Sequence, residues 1–451
     1  MSTAKPSCFK AYDIRGRVPD ELNPELAYRI GLATARHVDA ASFCVGHDCR
    51  LSSRELADRT IAGLRDAGCE VLDIGQCGTE MVYWTTDRRG LDGGIMVTAS
   101  HNPMDYNGMK LVRRGARPIS GDTGLDEIGA LAAAGELVPG DSRGGLARED
   151  VQAAYVADLL GMVDTSSLPE LTVVANGGNG CAGPVMRSLA EQLPGRWIHV
   201  HAKPDGHFPH GIPNPLLPEN RAATRDAVLA HGADLGLAWD GDFDRCFFFD
   251  EKGDFVEGYY LVGLLARAAL RREPGARIVH DPRLTWNTID VVTAAGGTPL
   301  MNKTGHAFMK ERMRADDAVY GGEMSAHHYF RSFAYCDSGM LPWLQVMREM
   351  ADTGRPLSEL VGAMQAAFPA SGEINRRLDD PDAALARIEE RYGATAGSID
   401  RTDGLSCEFP DWRFNLRKSN TEPLLRLNVE SRGDAELMRA KTAELLAVID
   451  G

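Results

Sequence analysis

The chain has 451 residues, 43% of them hydrophobic and 25% charged, which indicates a globular protein of three or four domains and excludes a disordered chain. Asp and Glu number 64 against 49 Lys and Arg, so the formal net charge is −15. This charge argues against a nucleic-acid or anionic-membrane binder, and any phosphate site must gather its positive charge locally.

Nine cysteines are scattered along the chain, and no pair has Cys-x-x-Cys spacing. This pattern fits buried free thiols in a reducing compartment better than a structural zinc site or a disulfide framework. The amino-terminal residues lead into no apolar signal segment, and no apolar run is long enough to cross a bilayer. We therefore expect a cytoplasmic protein with no membrane contact.

The first part of the chain alternates strand and helix signals. Residues 43–46 read as a buried strand, and Ser52 offers a helix cap with Glu55 three residues later. Residues 70–74 and 94–97 read as two further strands. A stretch rich in Gly, Ala and Pro, residues 132–145, marks the first domain boundary.

Two further αβ units follow. The second has predicted strands at residues 171–175, 197–200 and 235–239, with a helix opened by Pro184. The third starts near Val256 and has predicted strands at residues 277–280 and 318–320, with a helix from Asn287 between them. Such alternation predicts mainly parallel, doubly wound sheets.

The pattern changes after about Phe368. Short strands come first, and a last helix places several apolar residues on one face, namely Leu437, Met438, Leu445, Val448 and Ile449. The carboxy-terminal part is therefore predicted to be an α+β domain.

Residues 98–103, Thr-Ala-Ser-His-Asn-Pro, follow directly on a predicted strand. A strand end is a rigid base, and the loop beyond it can present a nucleophile to a substrate. Pro103 fixes its own backbone and favours an extended Asn102, so the loop is stiffened just after Ser100. Ser100 is the candidate phosphoryl carrier, although such a sequence is often an ordinary turn.

Residues 240–245, Asp-Gly-Asp-Phe-Asp-Arg, follow another predicted strand. Asp240, Asp242 and Asp244 can converge on one hard cation, with Mg²⁺ the first choice. An EF-hand is rejected because Arg245 stands where that loop needs glycine. Two alternatives stay open: a haloacid-dehalogenase-like phosphotransferase with Asp240 as its nucleophile, and a calcium site that only stabilises the fold.

Residues 178–183 match Gly-x-Gly-x-x-Gly between a predicted strand and helix. A dinucleotide site would want an acidic residue at the end of the next strand, but residues 200–202 are Val-His-Ala. The same spacing is also common in tight strand-to-helix turns, and we favour that interpretation over a cofactor site.

Two more polar loops occur at predicted strand ends. Residues 321–328 contain Glu323, Ser325 and His327, a set suited to the hydroxyls and phosphate of a sugar phosphate. Residues 417–423, Arg-Lys-Ser-Asn-Thr-Glu-Pro, combine a bidentate guanidinium with hydroxyl and backbone donors, which is typical of an anion site.

These four loops, in this order, resemble those of the α-D-phosphohexomutase family. The segment Phe-Lys-Ala-Tyr-Asp-Ile-Arg-Gly at residues 9–16 is also similar to the family's opening motif. The resemblance covers about residues 8–433 and is greatest to bacterial phosphomannomutases of GDP-mannose synthesis, because residues 322–325 read Gly-Glu-Met-Ser. Arg283 stands near a position where some relatives have lysine.

The resemblance implies four domains around a central cleft. Three are successive doubly wound αβα domains and the last is α+β, with expected limits of 1–146, 147–254, 255–367 and 368–451. In chain order, they would carry the phosphoserine loop, the metal loop, the sugar loop and the phosphate loop.

The resemblance also implies the roles of individual residues. Ser100 would carry the phosphoryl group, and with Asp240, Asp242 and Asp244 it would bind one Mg²⁺. Candidates for proton transfer and charge stabilisation are Lys110, His101, Arg245 and His306. Candidates for substrate binding are Tyr12, Arg15, Glu323, Ser325, His327, Arg417, Ser419, Asn420 and Thr421.

The implied activity is reversible conversion of mannose 6-phosphate and mannose 1-phosphate through a hexose 1,6-bisphosphate, which also serves as activator. A phosphoglucomutase or dual-specificity enzyme, and a non-enzymatic sugar-phosphate or calcium binder, remain alternatives. The expected ligands are small hexose phosphates, with no nucleic acid, membrane or obligate protein partner.

Overall fold

The structure, a computed structural model, describes residues 5–134, 137–418 and 424–451. The chain divides into two compact units. The first unit consists of residues 1–255 and 327–354, and the second consists of residues 256–326 and 355–451. Residues 327–354 therefore belong to the first unit, although the residues directly before them, 256–326, belong to the second.

The first part of the first unit is a mixed sheet with helices between its strands. The strands are β1 (Ile14–Arg17), β2 (Ser42–His47), β3 (Glu70–Gln76), β4 (Gly93–Val97), β5 (Tyr106–Arg113), β6 (Arg117–Pro118) and β7 (Leu146–Arg148). The helices are α1 (Pro24–Val38), α2 (Ser53–Asp66), α3 (Thr79–Arg88) and α4 (Leu125–Ala133). The main strand order is β1-β5-β4-β2-β3-β7. Strands β4, β2, β3 and β7 are parallel and β5 runs antiparallel to its neighbours, so the doubly wound prediction is confirmed with an antiparallel edge.

Two glycines let α1 and α2 pack closely. A Cβ on Gly31 would lie 2.3 Å from the Thr60 carbonyl oxygen, and one on Gly63 would lie 2.0 Å from that of Tyr28. Side chains at these two positions would push the helices apart. At the start of α2, Ser52 occupies the N-cap position but makes no capping bond with its side chain. Its hydroxyl instead accepts a hydrogen bond from Asn107, so the predicted capping box is wrong.

The second sheet of the first unit carries the acidic loop. Its elements are α5 (Gln152–Met162), β8 (Thr172–Asn176), α6 (Ala182–Ala190), β9 (Arg196–Val200), α7 (Ala222–His231), β10 (Leu235–Trp239), β11 (Cys246–Phe249) and β12 (Phe255–Val256). The strand order is β12-β11-β10-β8-β9. Strands β9, β8 and β10 are parallel and β11 is antiparallel to β10. Residues 240–245 therefore connect two antiparallel strands, whereas an EF-hand loop connects two helices, so the rejection of an EF-hand is confirmed.

Two of the expected domain limits fall at short strands, one inside a strand and one at its first residue. The limit at 146/147 falls inside β7, which pairs in parallel with β3 of the first sheet. The limit at 254/255 falls just before β12, which is the edge strand of the second sheet.

The second unit begins with another parallel αβ arrangement. Its elements are α8 (Gly258–Arg272), β13 (Arg277–His280), α9 (Trp286–Ala294), β14 (Thr298–Met301), α10 (His306–Asp316) and β15 (Tyr320–Gly322). Strand β13 pairs in parallel with β14 and β15. The strand predicted at residues 318–320 thus begins two residues later and runs through Gly321 and Gly322, which were predicted to be loop.

The chain then adds a hairpin and a helix to the first unit, β16 (His328–Phe330), β17 (Cys336–Asp337) and α11 (Leu341–Thr353). The remaining elements of the second unit are α12 (Leu357–Ala367), β18 (Ile374–Arg377), α13 (Pro381–Tyr392), β19 (Ser398–Asp400), β20 (Leu405–Glu408), β21 (Trp412–Lys418), β22 (Leu424–Ser431) and α14 (Ala435–Asp450). The last sheet is antiparallel, in the order β18-β22-β21-β20-β19. Leu445 and Ile449 of α14 join Phe414 and Val429 in one core, which confirms the α+β prediction.

All nine cysteines are free thiols, and eight of them are buried. Within the described ranges, the helices are too short or too polar to pass through a lipid bilayer.

Candidate active site

The loop after β4 holds Ser100 in a fixed, buried position. Ser100 has a positive φ of 47°, a conformation that non-glycine residues rarely adopt. Its N–H donates to Oγ1 of Thr98 at 2.9 Å, and the Thr98 hydroxyl donates to Oδ2 of Asp48 at 2.7 Å. Asp48 lies just beyond the end of β2, so two neighbouring strands of the sheet support the serine.

Arg50 fixes the rest of the serine loop. Its guanidinium donates to the carbonyl oxygens of Ser100 at 2.8 Å, Asn102 at 2.6 Å and Pro103 at 2.7 Å. Arg50 is buried, so these bonds are shielded from water. Sequence reasoning missed this residue, and only its place just after a strand end could have signalled it.

The acidic loop between β10 and β11 meets the serine loop. The Ser100 hydroxyl donates to Oδ2 of Asp240 at 2.8 Å. The loops approach so closely that a Cβ on Gly241 would lie only 2.4 Å from the Ser100 carbonyl oxygen. Asp240, Asp242 and Asp244 are all buried, and a carboxylate oxygen from each lies within 4.8 Å of the others.

Buried cations and a hydroxyl contact these carboxylates. Nζ of Lys110 donates to Asp242 at 2.9 Å and to Asp244 at 2.5 Å. Nε of Arg245 donates to Oδ2 of Asp240 at 2.8 Å. The hydroxyl of Thr79, the first residue of α3, donates to Oδ2 of Asp242 at 2.5 Å. The structure therefore brings together Ser100, Lys110, Arg245 and the three aspartates, as the resemblance implies.

The ionisation of these groups reflects the crowding of negative charge. The pKa of Asp240 is raised to about 7, first by burial and also by Asp244 and Asp242, although Arg245 acts to lower it. Burial also acts to raise the pKa of Asp242, but Lys110 contributes to holding it below its usual value. Burial opposes protonation of Lys110, yet Asp242 and Asp244 raise its pKa.

The donor set fits a small divalent cation. Three carboxylates on one short loop supply the oxygen ligands that Mg²⁺ prefers. In the described part of the chain, Oδ1 of Asp242 is buried and has no hydrogen-bond partner. A buried carboxylate oxygen without a donor is costly unless a cation or water meets it.

Two histidines lie at the edge of this site. The Arg245 guanidinium donates to Nδ1 of His101, which lies 3.1 Å from Oγ of Ser100. Burial and then Arg245 hold the pKa of His101 well below its usual value. Nε2 of His327 lies 3.9 Å from Oδ1 of Asp244 and 3.9 Å from Oδ2 of Asp337. His327 is thus placed in the first unit, beside the acidic loop, whereas Glu323 and Ser325 lie in the second.

The opening motif also reaches the serine loop. Nη1 of Arg15 donates to the Ala99 carbonyl at 3.3 Å and contacts the side-chain oxygen of Asn102. Nε of Arg15 donates to Asp13 at 2.8 Å. Tyr12 is half-buried and precedes β1.

The glycine-rich turn at residues 178–183 packs against protein backbone. A Cβ on Gly180 would lie 2.7 Å from the Gly241 carbonyl oxygen, and one on Gly183 would lie 1.8 Å from that of Ala202. The Cys181 N–H donates to the Gly241 carbonyl at 2.9 Å. Gly180 therefore serves the close approach of this turn to the acidic loop, and Gly183 serves its approach to the segment after β9, which favours the tight-turn interpretation over a dinucleotide site.

The second unit holds a separate group of polar residues around Arg283. Its Nη2 donates to Asp281 at 2.7 Å and to the Ser325 hydroxyl at 3.2 Å, and lies 3.7 Å from a carboxylate oxygen of Glu323. Glu323 also accepts the N–H of Gly305, at 3.0 Å. His306, the next residue, begins α10. Ser325 and Glu323 are thus placed together, with the positive charge of Arg283 between them and Asp281.

Three arginines converge on one carboxylate in this unit. Glu373 accepts hydrogen bonds from Arg283 at 3.4 Å, Arg417 at 3.1 Å and Arg426 at 3.0 Å. Burial would raise the pKa of Glu373, but the arginines hold it at about 2. Sequence reasoning found Arg417 and missed Glu373, which directly precedes β18, and Arg426, which lies on β22. The predicted phosphate ligands Ser419, Asn420 and Thr421 lie outside the described residues.

Comparison with known proteins identifies this arrangement. Four models of phosphoglucomutase/phosphomannomutase domains match the chain: α/β/α domains I, II and III at residues 6–138, 153–253 and 257–368, and the C-terminal domain at residues 373–447. The chain belongs to the phosphoglucomutase/phosphomannomutase family.

Curated members of the family are similar over nearly the whole chain. A phosphomannomutase from Salmonella montevideo is 59% identical over 98% of this chain and 99% of its own, and one from Escherichia coli K12 is 58% identical over 99% of both chains. A protein named phosphohexose mutases from Xanthomonas campestris is 58% identical over 98% of this chain and 99% of its own.

The crystal structure of a phosphoglucomutase/phosphomannomutase family protein from Burkholderia thailandensis superposes with a TM-score of 0.88 at 31% identity, covering 99% of this chain and 98% of its own. These matches confirm the family expected from the motifs. They favour a phosphohexomutase over the haloacid-dehalogenase-like alternative.

Proposed function

We propose that this chain interconverts mannose 6-phosphate and mannose 1-phosphate through a phosphoserine at Ser100 and a bisphosphorylated sugar. The chain is a mutase of the phosphohexomutase family, and its similar relatives from Salmonella and Escherichia coli are named phosphomannomutase. The proposed role of Ser100 is supported by the position of its hydroxyl, which donates a hydrogen bond to Asp240 within a buried group of three aspartates.

We propose that Asp240, Asp242 and Asp244 hold one Mg²⁺ in the working enzyme, with Ser100 as a further ligand. The unpartnered Oδ1 of Asp242 and the raised pKa of Asp240 support this assignment. The cation, when bound, would offset negative charge on the transferred phosphoryl group.

The protein's part in transfer is mainly positioning and charge. Arg50 and Thr98 would keep the Ser100 oxygen fixed, because both hydrogen-bond the backbone of Ser100. Arg245 would add positive charge near the phosphoryl group. Lys110 is held in its protonated form by two carboxylates, so its proposed part is to supply hydrogen bonds and positive charge rather than to accept a proton.

The group in the second unit would hold the sugar phosphate. Arg417 would bind the phosphate that is not being transferred, and Glu323 and Ser325 would bind ring hydroxyls. Tyr12, Arg15, His306 and His327 stay proposed contributors at the edge of the site. After the first transfer the bisphosphate would turn end over end, so the same residues must accept either end of the sugar.

Each of the four domains would supply one loop to the cleft. We propose limits that keep β7 with the first sheet and β12 with the second, close to the 146/147 and 254/255 limits expected from the sequence, and a third limit at 367/368.

The second candidate is a phosphohexomutase that also accepts glucose phosphates. The observation in its favour is the 58% identity to the Xanthomonas campestris protein that is named for phosphohexoses. Comparing turnover of mannose 1-phosphate and glucose 1-phosphate, each with a trace of the matching bisphosphate, distinguishes the two candidates. The proposal expects a higher kcat/KM for the mannose phosphate.

The role of Ser100 is tested by Ser100→Ala, with the exposed Ser142→Ala as the matched control. The expected result is a loss of several orders of magnitude in kcat for Ser100→Ala alone, with unchanged melting temperatures in both variants. Turnover that survives Ser100→Ala would contradict the proposal and favour an acyl phosphate on Asp240.

A further inference from the structure

Glu373 stands where three structural elements bring arginines together. We call Arg283, Arg417 and Arg426 the arginine cradle; they come from the loop after β13, from β21 and from β22. Glu373 directly precedes β18, and its side chain is 9% exposed. Each of the three guanidiniums donates to one of its carboxylate oxygens.

The three arginines differ in how many carboxylate partners they have. Arg283 has its own carboxylate in Asp281, at 2.7 Å. For Arg417 and Arg426, Glu373 is the ion-pair partner found among the described residues. One carboxylate thus forms ion pairs with two guanidiniums, while Asp403 adds a favourable negative charge near Arg417. Glu373 remains ionised at neutral pH because its pKa is held at about 2.

Some N–H groups of the arginine cradle have no hydrogen-bond acceptor among the described residues. In the described ranges, Nε of Arg283, Nε of Arg417 and Nε of Arg426 are buried and have no hydrogen-bond partner. The Arg283 side chain is only 3% exposed, so water does not readily satisfy it. Buried guanidinium N–H groups without acceptors indicate that the cradle is shaped for an anion with more oxygens and more charge than one carboxylate.

We propose that Glu373 is an internal stand-in for the substrate phosphate. It neutralises the cradle and holds the guanidiniums in place while no sugar is bound. An incoming anion must also displace the Glu373 carboxylate from the guanidiniums in order to bind. A phosphate dianion binds the guanidiniums strongly enough to displace it, and a monoanionic carboxylate does not. The inference rests on the proposed function, in which Arg417 receives a sugar phosphate.

The competition has a consequence for catalysis. An arginine cradle without a competing carboxylate would bind phosphate more tightly, so it would release the bisphosphate slowly and hinder its reorientation. Glu373 lowers the affinity of the cradle for phosphate and binds the arginines again when the phosphate leaves. We therefore class Glu373 as a residue that tunes affinity and release.

The test is binding of inorganic phosphate to the full chain at pH 8, measured by isothermal titration calorimetry. Glu373→Gln keeps the size of the side chain and removes its charge. Glu390→Gln removes the same charge from an exposed position on α13 and is the matched control. We expect Glu373→Gln to bind phosphate about tenfold or more tightly than the wild type, and Glu390→Gln to match the wild type. Unchanged or weaker binding by Glu373→Gln would overturn the inference.

Stability and kinetics supply two further readouts. Without phosphate, Glu373→Gln should melt at a lower temperature than the wild type, because the guanidiniums repel one another, and phosphate should restore the loss. A variant that does not fold even in phosphate would also overturn the inference. In turnover assays, Glu373→Gln should lower both KM and kcat, whereas a merely structural role predicts a raised KM.

The phosphate titration does not depend on Ser100 or on turnover. If phosphate binds more tightly to Glu373→Gln but the chain does not interconvert hexose phosphates, the proposed function fails and the inference stands. If turnover is as proposed and the titrations are equal, the inference fails alone.

Discussion

Replacing Gly241 with alanine should separate the phosphoryl carrier from the acidic loop. The new Cβ would lie 2.4 Å from the Ser100 carbonyl oxygen, where ordinary contacts are 3.4 Å or longer, so one loop must move by about 1 Å. The neighbouring atom is backbone that Arg50 already holds, and it has no freedom to rotate away. Misplacement of reacting groups by about 1 Å costs on the order of 100-fold in rate.

The assay is kcat for mannose 1-phosphate with a bisphosphate activator, with the melting temperature of each variant measured alongside. Gly161→Ala is the matched control, because a Cβ there meets open space on helix α5. We expect Gly241→Ala to lose about 100-fold in kcat and Gly161→Ala to keep the wild-type value. If Gly241→Ala keeps full activity, the contact between the two loops is not what positions Ser100.

Three further predictions follow from buried charges. Asp242→Asn should raise the Mg²⁺ concentration for half-maximal activity at least about tenfold; an unchanged magnesium titration would contradict the metal assignment. Burial raises the pKa of Glu80 to about 8, so its share of the unfolding free energy, up to a few kcal/mol, is present near pH 4.5 and is lost as the pH rises to 8. Denaturant unfolding from pH 5 to 8 should therefore show Glu80→Gln gaining stability relative to the wild type as the pH rises, and a constant difference would refute this. Arg413→Met should cost about 3–5 kcal/mol in the same assay because it leaves Glu430, 2.7 Å away, as an unpaired buried charge; adding Glu430→Gln should recover part of the loss, and no recovery would count against the ion pair.

The elements and the four loops could be predicted because they are local properties of the sequence. Strands β10 and β13 have the limits predicted for them, residues 235–239 and 277–280, and Ser100 and Asp240 each follow a strand end. These two residues follow strands of different sheets, so local sequence alone did not place them side by side. Their meeting was expected from the resemblance to the α-D-phosphohexomutase family.

Contacts between distant elements could not be predicted in the same way. Nothing in the local sequence shows that Arg50 bonds three carbonyls of the serine loop, or that Glu373 collects three arginines. His327 was grouped with Glu323 and Ser325 because they are close in sequence, yet the chain passes from one compact unit to the other directly before it.

The most direct test of the central claim is to locate the phosphoryl group on the enzyme. The purified chain is incubated with Mg²⁺ and hexose 1,6-bisphosphate, and the modified peptide is identified by mass spectrometry. We predict one phosphoryl group, on Ser100, that leaves when hexose monophosphate is added. A hydroxylamine-labile phosphate on Asp240, or no phosphate on Ser100 in an active enzyme, would contradict the account.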